Sequence, residues 1–381
     1  MIRHISSLRP MGRELMKGAK VKTRQFNTDC EGPISKNDNA MELAASCIPD
    51  GQRFFSLVSK YDDFLADVEK RRGYKAGDTL KLILPFLKAH GMTNAEMVNY
   101  SKKNILLIQG AVETLRFVNR LMPSFIVSTS YEPYLHALCS LVGFPMDHVY
   151  CTKVNIDAFP LGKGEEARLR ALASEIAGMK MISWGNEATG IEDLSPEDQG
   201  TVRRLNHIFW VEIAKMEMGR VFEEVNPVGG VEKANAILDS LRRTGRELAD
   251  VIYVGDSITD VQAFELVRDG GGVGVSFNGN GYAIRSADIC CISKDTVVLS
   301  LLASSFYTGG RDGVLELVER WSRPSIEERE VEEEVEIRLQ SIPDEDFPKV
   351  ELIAQSNIGR LIEESEGFRK QVRGVEVGAL G

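Results

Sequence analysis

Apolar residues recur along the chain in two rhythms. Short, nearly unbroken runs at 124–130, 251–254, 272–277 and 287–292 predict buried strands. Residues 148–154 predict another, and a shorter, more polar run ends just before Asp29. Elsewhere the apolar positions fall three and four apart. Phe55, Val58, Tyr61, Phe64, Leu65 and Val68 predict a helix over 54–71. The same spacing predicts helices at 78–90, 109–121, 132–142, 165–177, 196–212, 233–243, 261–267 and 295–304. Thr93 with Glu96, and Ser325 with Glu328, predict capping boxes. After Ser325 the helix is Glu-rich, with a thin apolar stripe of Ile326, Val331, Val335 and Leu339.

Candidate chemistry sits where strands end. Val251–Val254 runs into Gly255-Asp256, and Asp260 follows one helical turn later. Two carboxylates past the end of a parallel strand lie where α/β sheets bind ligands. Their mutual repulsion calls for a cation, and an oxygen-only set suits Mg²⁺. Gln25–Pro33 reads Gln-Phe-Asn-Thr-Asp-Cys-Glu-Gly-Pro, with Asp29 and Glu31 two residues apart. One carboxylate that attacks phosphorus and a second acid that protonates the departing oxygen would need such a pair. Ser128 falls in the hydroxyl run that closes the strand at 124–130. Lys233 opens a helix 23 residues before Asp256 and offers an ammonium to the acids, with Lys153 as its rival.

These four pieces, in this order, resemble the four motifs of the haloacid dehalogenase superfamily of phosphatases. The layout is most similar to its phosphoserine-phosphatase-like members. Glu31 stands where those phosphatases carry an Asp, and Pro33 where they carry a Thr. The resemblance implies a Rossmann-like, mostly parallel α/β sheet with helices on both faces and an inserted helical cap. It also implies Mg²⁺ held by Asp29, the Glu31 backbone carbonyl, Asp256 and Asp260, with Ser128 and Lys233 on the phosphate. The implied activity is hydrolysis of a small phosphorylated metabolite, a phosphomonoester, through a phosphoaspartate at Asp29. Asp38 lies near the position of a substrate-binding Glu in phosphoserine phosphatases, although a helix cap is its simpler role. Asn278 resembles an Asn near their phosphate pocket. The string Asp-Cys-Glu-Gly-Pro-Ile-Ser-Lys-Asn-Asp-Asn-Ala also looks like the start of archaeal proteins identified as energy-converting hydrogenase A subunit R. That likeness implies the alternative of an accessory or regulatory subunit in a hydrogenase-type complex, with little turnover.

On this reading the core is 24–45, 106–158 and 226–310, with a helical cap at 46–105. A second helical insertion follows at 159–225, and an acidic helical extension closes the chain at 311–381, as a solvated helix packed by one edge or as a docking or homodimer surface. Residues 1–23 form a basic arm. Composition narrows the partners. The net charge of −10 argues against nucleic acid or an anionic membrane. No apolar run approaches the roughly 20 residues of a membrane helix. The six cysteines make no Cys-x-x-Cys pair and the five histidines are dispersed. Reduced core thiols in a cytoplasmic protein are therefore expected, and no zinc site.

Overall fold

Seven strands form one sheet in the order β3-β2-β1-β4-β5-β6-β7. They are β1 (Gln25–Thr28), β2 (Ser124–Tyr131), β3 (Val149–Thr152), β4 (Val251–Gly255), β5 (Val273–Phe277), β6 (Ile289–Ile292) and β7 (Lys349–Leu352). Every neighbouring pair is parallel except β6–β7, which is antiparallel. The computed structural model describes residues 24–185, 187–329 and 331–380, so the basic arm expected at 1–23 lies outside the described residues. The helices used below are α1 (Asn39–Cys47), α2 (Gly51–Asp63), α3 (Thr79–Ala89), α4 (Asn94–Lys103), α5 (Ala111–Leu121), α6 (Glu132–Val142), α7 (Lys163–Gly178), α8 (Pro196–His207), α9 (Val221–Glu224), α10 (Val231–Thr244), α11 (Val261–Asp269), α12 (Gly281–Ser286), α13 (Val297–Glu319), α14 (Arg323–Glu327), α15 (Glu333–Gln340) and α16 (Ile358–Arg373).

The expected α/β class is the observed one. β4, β5 and β6 are buried at every residue, which is why they read as unbroken apolar runs. Phe117 and Val118 of α5 pack on one face with α13 and α15, and α10, α11 and α12 pack on the other. β1 is also buried throughout, yet carries Gln25 and Asn27. The Gln25 amide donates to Asn27 Oδ1 (2.9 Å) and to Ser240 Oγ of α10 (2.7 Å), and Asn27 donates to the same hydroxyl (3.2 Å). Thr244 Oγ1 closes the group on Gln25 Oε1 at 2.7 Å. A buried amide without partners would cost about 1–3 kcal/mol. Satisfied, these two instead fix α10 lengthwise against the central strand.

The segments expected as two separate helical insertions share one apolar core. Phe54, Tyr61 and Phe86 from the first meet Leu172, Ile176 and Phe209 from the second. Tyr61 stacks on Phe209 with centroids 5.6 Å apart, and its hydroxyl donates to Asn206 at 2.7 Å. The helical body thus stands over the carboxyl ends of the strands as a unit.

The end of the chain departs from the expected appendage. Thr93 caps α4 as expected, accepting from Glu96 N at 3.1 Å. The box at Ser325 and Glu328 does not form. α14 starts earlier, under a Ser322 cap that accepts from Ser325 N, because Pro324 suits the first turn of a helix. Ile326, Val335 and Leu339 are buried against the sheet and α13, so the apolar stripe is spent within this chain. β7 then joins the sheet edge and α16 returns to the strand ends. Among the described residues no helix is long and apolar enough to cross a membrane.

Candidate active site

The strand order places β1 beside β4, with the chain turning outward on either side of that pair. This is the topological switch point, where a crevice opens beyond the carboxyl ends. Asp29 follows β1 and Asp256 follows β4, so both enter the crevice from adjacent strands. The Asp29 N–H donates to Val254 O at 2.8 Å, extending the pairing one residue and holding the carboxylate at the sheet's edge.

Lys233, in the first turn of α10, is fully buried and reaches both acids. Its Nζ donates to Asp29 Oδ2 at 2.5 Å and to Asp260 Oδ1 at 2.7 Å. Its rival Lys153 is exposed. Asp260 is held on every side: Tyr253 OH donates to Oδ1 (2.6 Å), and the backbone N–H groups of Asp256 and Ser257 donate to Oδ2 (2.9 and 3.0 Å). Burial opposes charge on Asp260, but Lys233 and these donors outweigh it, and its pKa is lowered. Burial likewise opposes charge on Lys233, but Asp260 and Asp29 outweigh it and its pKa is raised. At Asp29 burial wins, pushing the carboxyl up to about 7 despite Lys233.

Carboxylate oxygens of Asp29, Asp256 and Asp260 all lie within 4.8 Å of one another. A buried, oxygen-only donor set suits a hard cation such as Mg²⁺ rather than a thiophilic one. Gly32 makes room for it, with φ of +101° and a Cα so placed that any Cβ would overlap the Asp256 carboxylate. The Glu31 side chain, expected as the acid that protonates the departing oxygen, lies outside this cluster. Its Oε1 instead accepts from Asn39 N at 2.7 Å, at the start of α1. Burial, then Asp38, raise the Glu31 pKa well above the ordinary carboxylate range.

A cavity of about 90 Å³ opens on this cluster, walled at the strand ends by Asp29, Glu31, Thr129 and Ser130. Ser128 is not part of that wall. It is buried, and its Oγ accepts from Ser130 N at 3.3 Å. Asp38 takes the simpler role, capping α1 through Met41 N (2.9 Å), and it also lines the cavity. The Asn278 side chain holds the end of β6 through Ser293, away from the cavity wall.

Two groups on the far side carry no motif. Asp62 and Asp63, at the end of α2, face the cavity from the helical body. Asp62 accepts from Tyr74 OH (2.5 Å) and Gly77 N (2.9 Å). Asp63 is pushed up to about 8 by burial, with Lys60 opposing. From α16 come Arg369 and Arg373, both ion-paired to Asp256 Oδ2, the second at 3.0 Å. Leu361, Ser365 and Arg369 form the buried row of α16 at a spacing of four. An arginine on an otherwise inward row was the signal available in the sequence.

Neither a family model nor a curated protein matches this sequence. Among solved structures, the gene product AF1437 of Archaeoglobus fulgidus is similar over almost its whole length. The TM-score is 0.76 at 27% identity, covering 94% of this chain and 99% of that one. A substrate-bound phosphoserine phosphatase superposes at a TM-score of 0.40 with 17% identity, over 71% of this chain and 93% of that one. An apo phosphoserine phosphatase gives 0.40 with 14%, over 73% and 98%. Fits as distant as these two carry no argument.

Proposed function

We propose that this protein is a Mg²⁺-dependent phosphomonoesterase of the haloacid dehalogenase type, acting through a phosphoaspartate. The single observation that carries this reading is the Asp29–Lys233–Asp260 network beside Asp256 at the β1/β4 switch point.

Asp29 and Asp256 would hold a divalent cation, which would supply Lewis-acid neutralisation of the phosphoryl charge. An Asp29 oxygen bonds to phosphorus as the ester oxygen–phosphorus bond breaks. Glu31, whose hold on a proton burial and Asp38 strengthen, gives that proton to the departing oxygen. Now anionic, Glu31 takes a proton from the water that attacks phosphorus, and the Asp29 carboxylate and inorganic phosphate are released. Lys233 balances the charge of Asp29 throughout and fixes which oxygen faces the cavity. Asp260, saturated with donors, holds Lys233 and the turn after β4 in place. A cavity of about 90 Å³ supports a small substrate.

The test is release of inorganic phosphate from a panel of small phosphomonoesters with Mg²⁺. Asp29→Asn is expected to lower turnover about 10³-fold or more. A wild-type protein that cleaves none of them ends the reading. The alternative, the same fold kept as a subunit with little turnover, draws on Glu31 in place of Asp and on the guanidinium pair on Asp256. Its association with a hydrogenase-type complex stands on the 29–40 string alone.

A further inference from the structure

α16 is docked firmly on the core. Ser365 Oγ donates to Gly279 O at 2.7 Å, and Glu366 Oε1 accepts from Gly281 N at 2.9 Å, on the loop between β5 and α12. From there Arg369 Nη1 reaches Asp256 Oδ2 and also Asp256 O at 3.2 Å. Arg373 Nη1 reaches the same Oδ2, while its Nε donates to Lys36 O at 3.1 Å and its Nη2 to Asn37 O. Both guanidiniums line the cavity that holds Asp29.

Three features set this pair apart from an ordinary structural ion pair. First, one oxygen accepts from both arginines, so both in-plane lone pairs of Oδ2 are taken. A cation approaching Asp256 meets two positive charges already there. Second, the formal charges of the ion-paired set balance, with Asp29, Asp256 and Asp260 facing Lys233, Arg369 and Arg373. A divalent cation alone adds two positive charges to that balance, and a phosphate dianion removes them. Third, Arg369 Nε is buried, with the residue 2% exposed, and has no hydrogen-bond acceptor. Guanidinium donors match the oxygens of a phosphoryl group in geometry and in charge.

We propose that Arg369 and Arg373 are phosphoryl-binding residues that rest on Asp256 and pass to the substrate's phosphate when cation and substrate arrive together. This assignment rests on the phosphatase reading above and deepens it. The arginines oppose the cation in the free protein and recruit the anion, so each ligand removes the obstacle to the other. Cation and phosphate then bind with positive cooperativity, equal in either order of addition.

Isothermal titration calorimetry with Mg²⁺, in the absence and presence of saturating inorganic phosphate, tests this without turnover. In the wild type, phosphate is expected to tighten Mg²⁺ binding about tenfold or more. In Arg373→Gln, Mg²⁺ alone is expected to bind about tenfold more tightly and phosphate more weakly, with the coupling reduced. Arg369→Gln is expected to act in the same direction. If burial of an uncompensated Asp256 prevents it from folding, the wild type and Arg373→Gln still decide. Wild-type Mg²⁺ affinity indifferent to phosphate overturns the proposal. So does a variant that binds Mg²⁺ alone as weakly as the wild type or more weakly, the outcome for arginines that only brace Asp256. Coupling without hydrolysis sinks the phosphatase reading alone, and hydrolysis without coupling sinks this assignment alone.

Discussion

The two banks of the cavity differ in how their charges are met. On the strand-end bank Lys233 has two carboxylates within 2.7 Å, and Asp260 receives donors on both oxygens. On the far bank, among the described residues, Asp63 is buried without an ion pair and Arg369 keeps an unmatched donor. The Asp29–Lys233–Asp260 network is met within its own bank, as holding a carboxylate at a fixed point requires. The far bank is left with donors and acids unmet, as a surface that completes itself on a ligand would be.

Three perturbations separate the banks, and the largest effect belongs to the first. Lys233→Met leaves Asp29 and Asp260 buried without their shared cation, and is expected to cost about 3–5 kcal/mol of stability. Chemical denaturation measures it. A loss under about 1 kcal/mol would mean that the strand-end network is not the closed unit its geometry describes. Next, Glu31→Gln removes the proton donor while preserving the bond to Asn39 N, through the amide oxygen. Turnover is expected to fall about 10²-fold, and an aryl phosphate is expected to show a burst, because the second step loses its base. Equal activity of variant and wild type would remove Glu31 from the chemistry.

The third perturbation lies on the far bank. The folded-state pKa of Asp63 is raised from 3.8 to about 8, so between those values the folded chain binds the extra proton. Stability from this group therefore falls as pH rises through that window, by about 1.4 kcal/mol per pH unit. Asp63→Asn has no such proton to lose. Its stability relative to wild type is expected to grow from about pH 5 to pH 7, as followed by thermal unfolding at each pH. A constant difference would show that Asp63 is ionised in the folded protein, with a cation beside it.

How much of this was legible in the sequence follows from the distance over which each feature is made. Asp256 and Asp260 declare themselves because strand, turn and helix are contiguous. Lys233 is identified by its place at the start of a helix, although its partners lie 27 and 204 residues away. β1 is faint because its amides are satisfied by Ser240, more than 200 residues distant. Ser128 does not reach the cavity wall because β2 runs on to Tyr131, so the hydroxyl run lies inside a strand and the wall is formed by Thr129 and Ser130. Arg369 and Arg373 lie 113 and 117 residues from Asp256, on a helix whose surroundings look like an ordinary charged surface. The inward row of α16 marks Arg369 as buried, but no local pattern names Asp256 as its partner, and the sheet-edge strand that delivers the helix is only four residues long.

The knot of Gln25, Asn27, Ser240 and Thr244 has a mechanical consequence. It works like a dowel between helix and strand, away from the crevice and independent of the helical body. Sliding α10 by one residue would shear three hydrogen bonds before it moved the ammonium off Asp29. A shift of the helical body would therefore leave the Asp29–Lys233 contact aligned. In hydrogen exchange, the amides of β1 and α10 would be the last to surrender their protons, and would do so together.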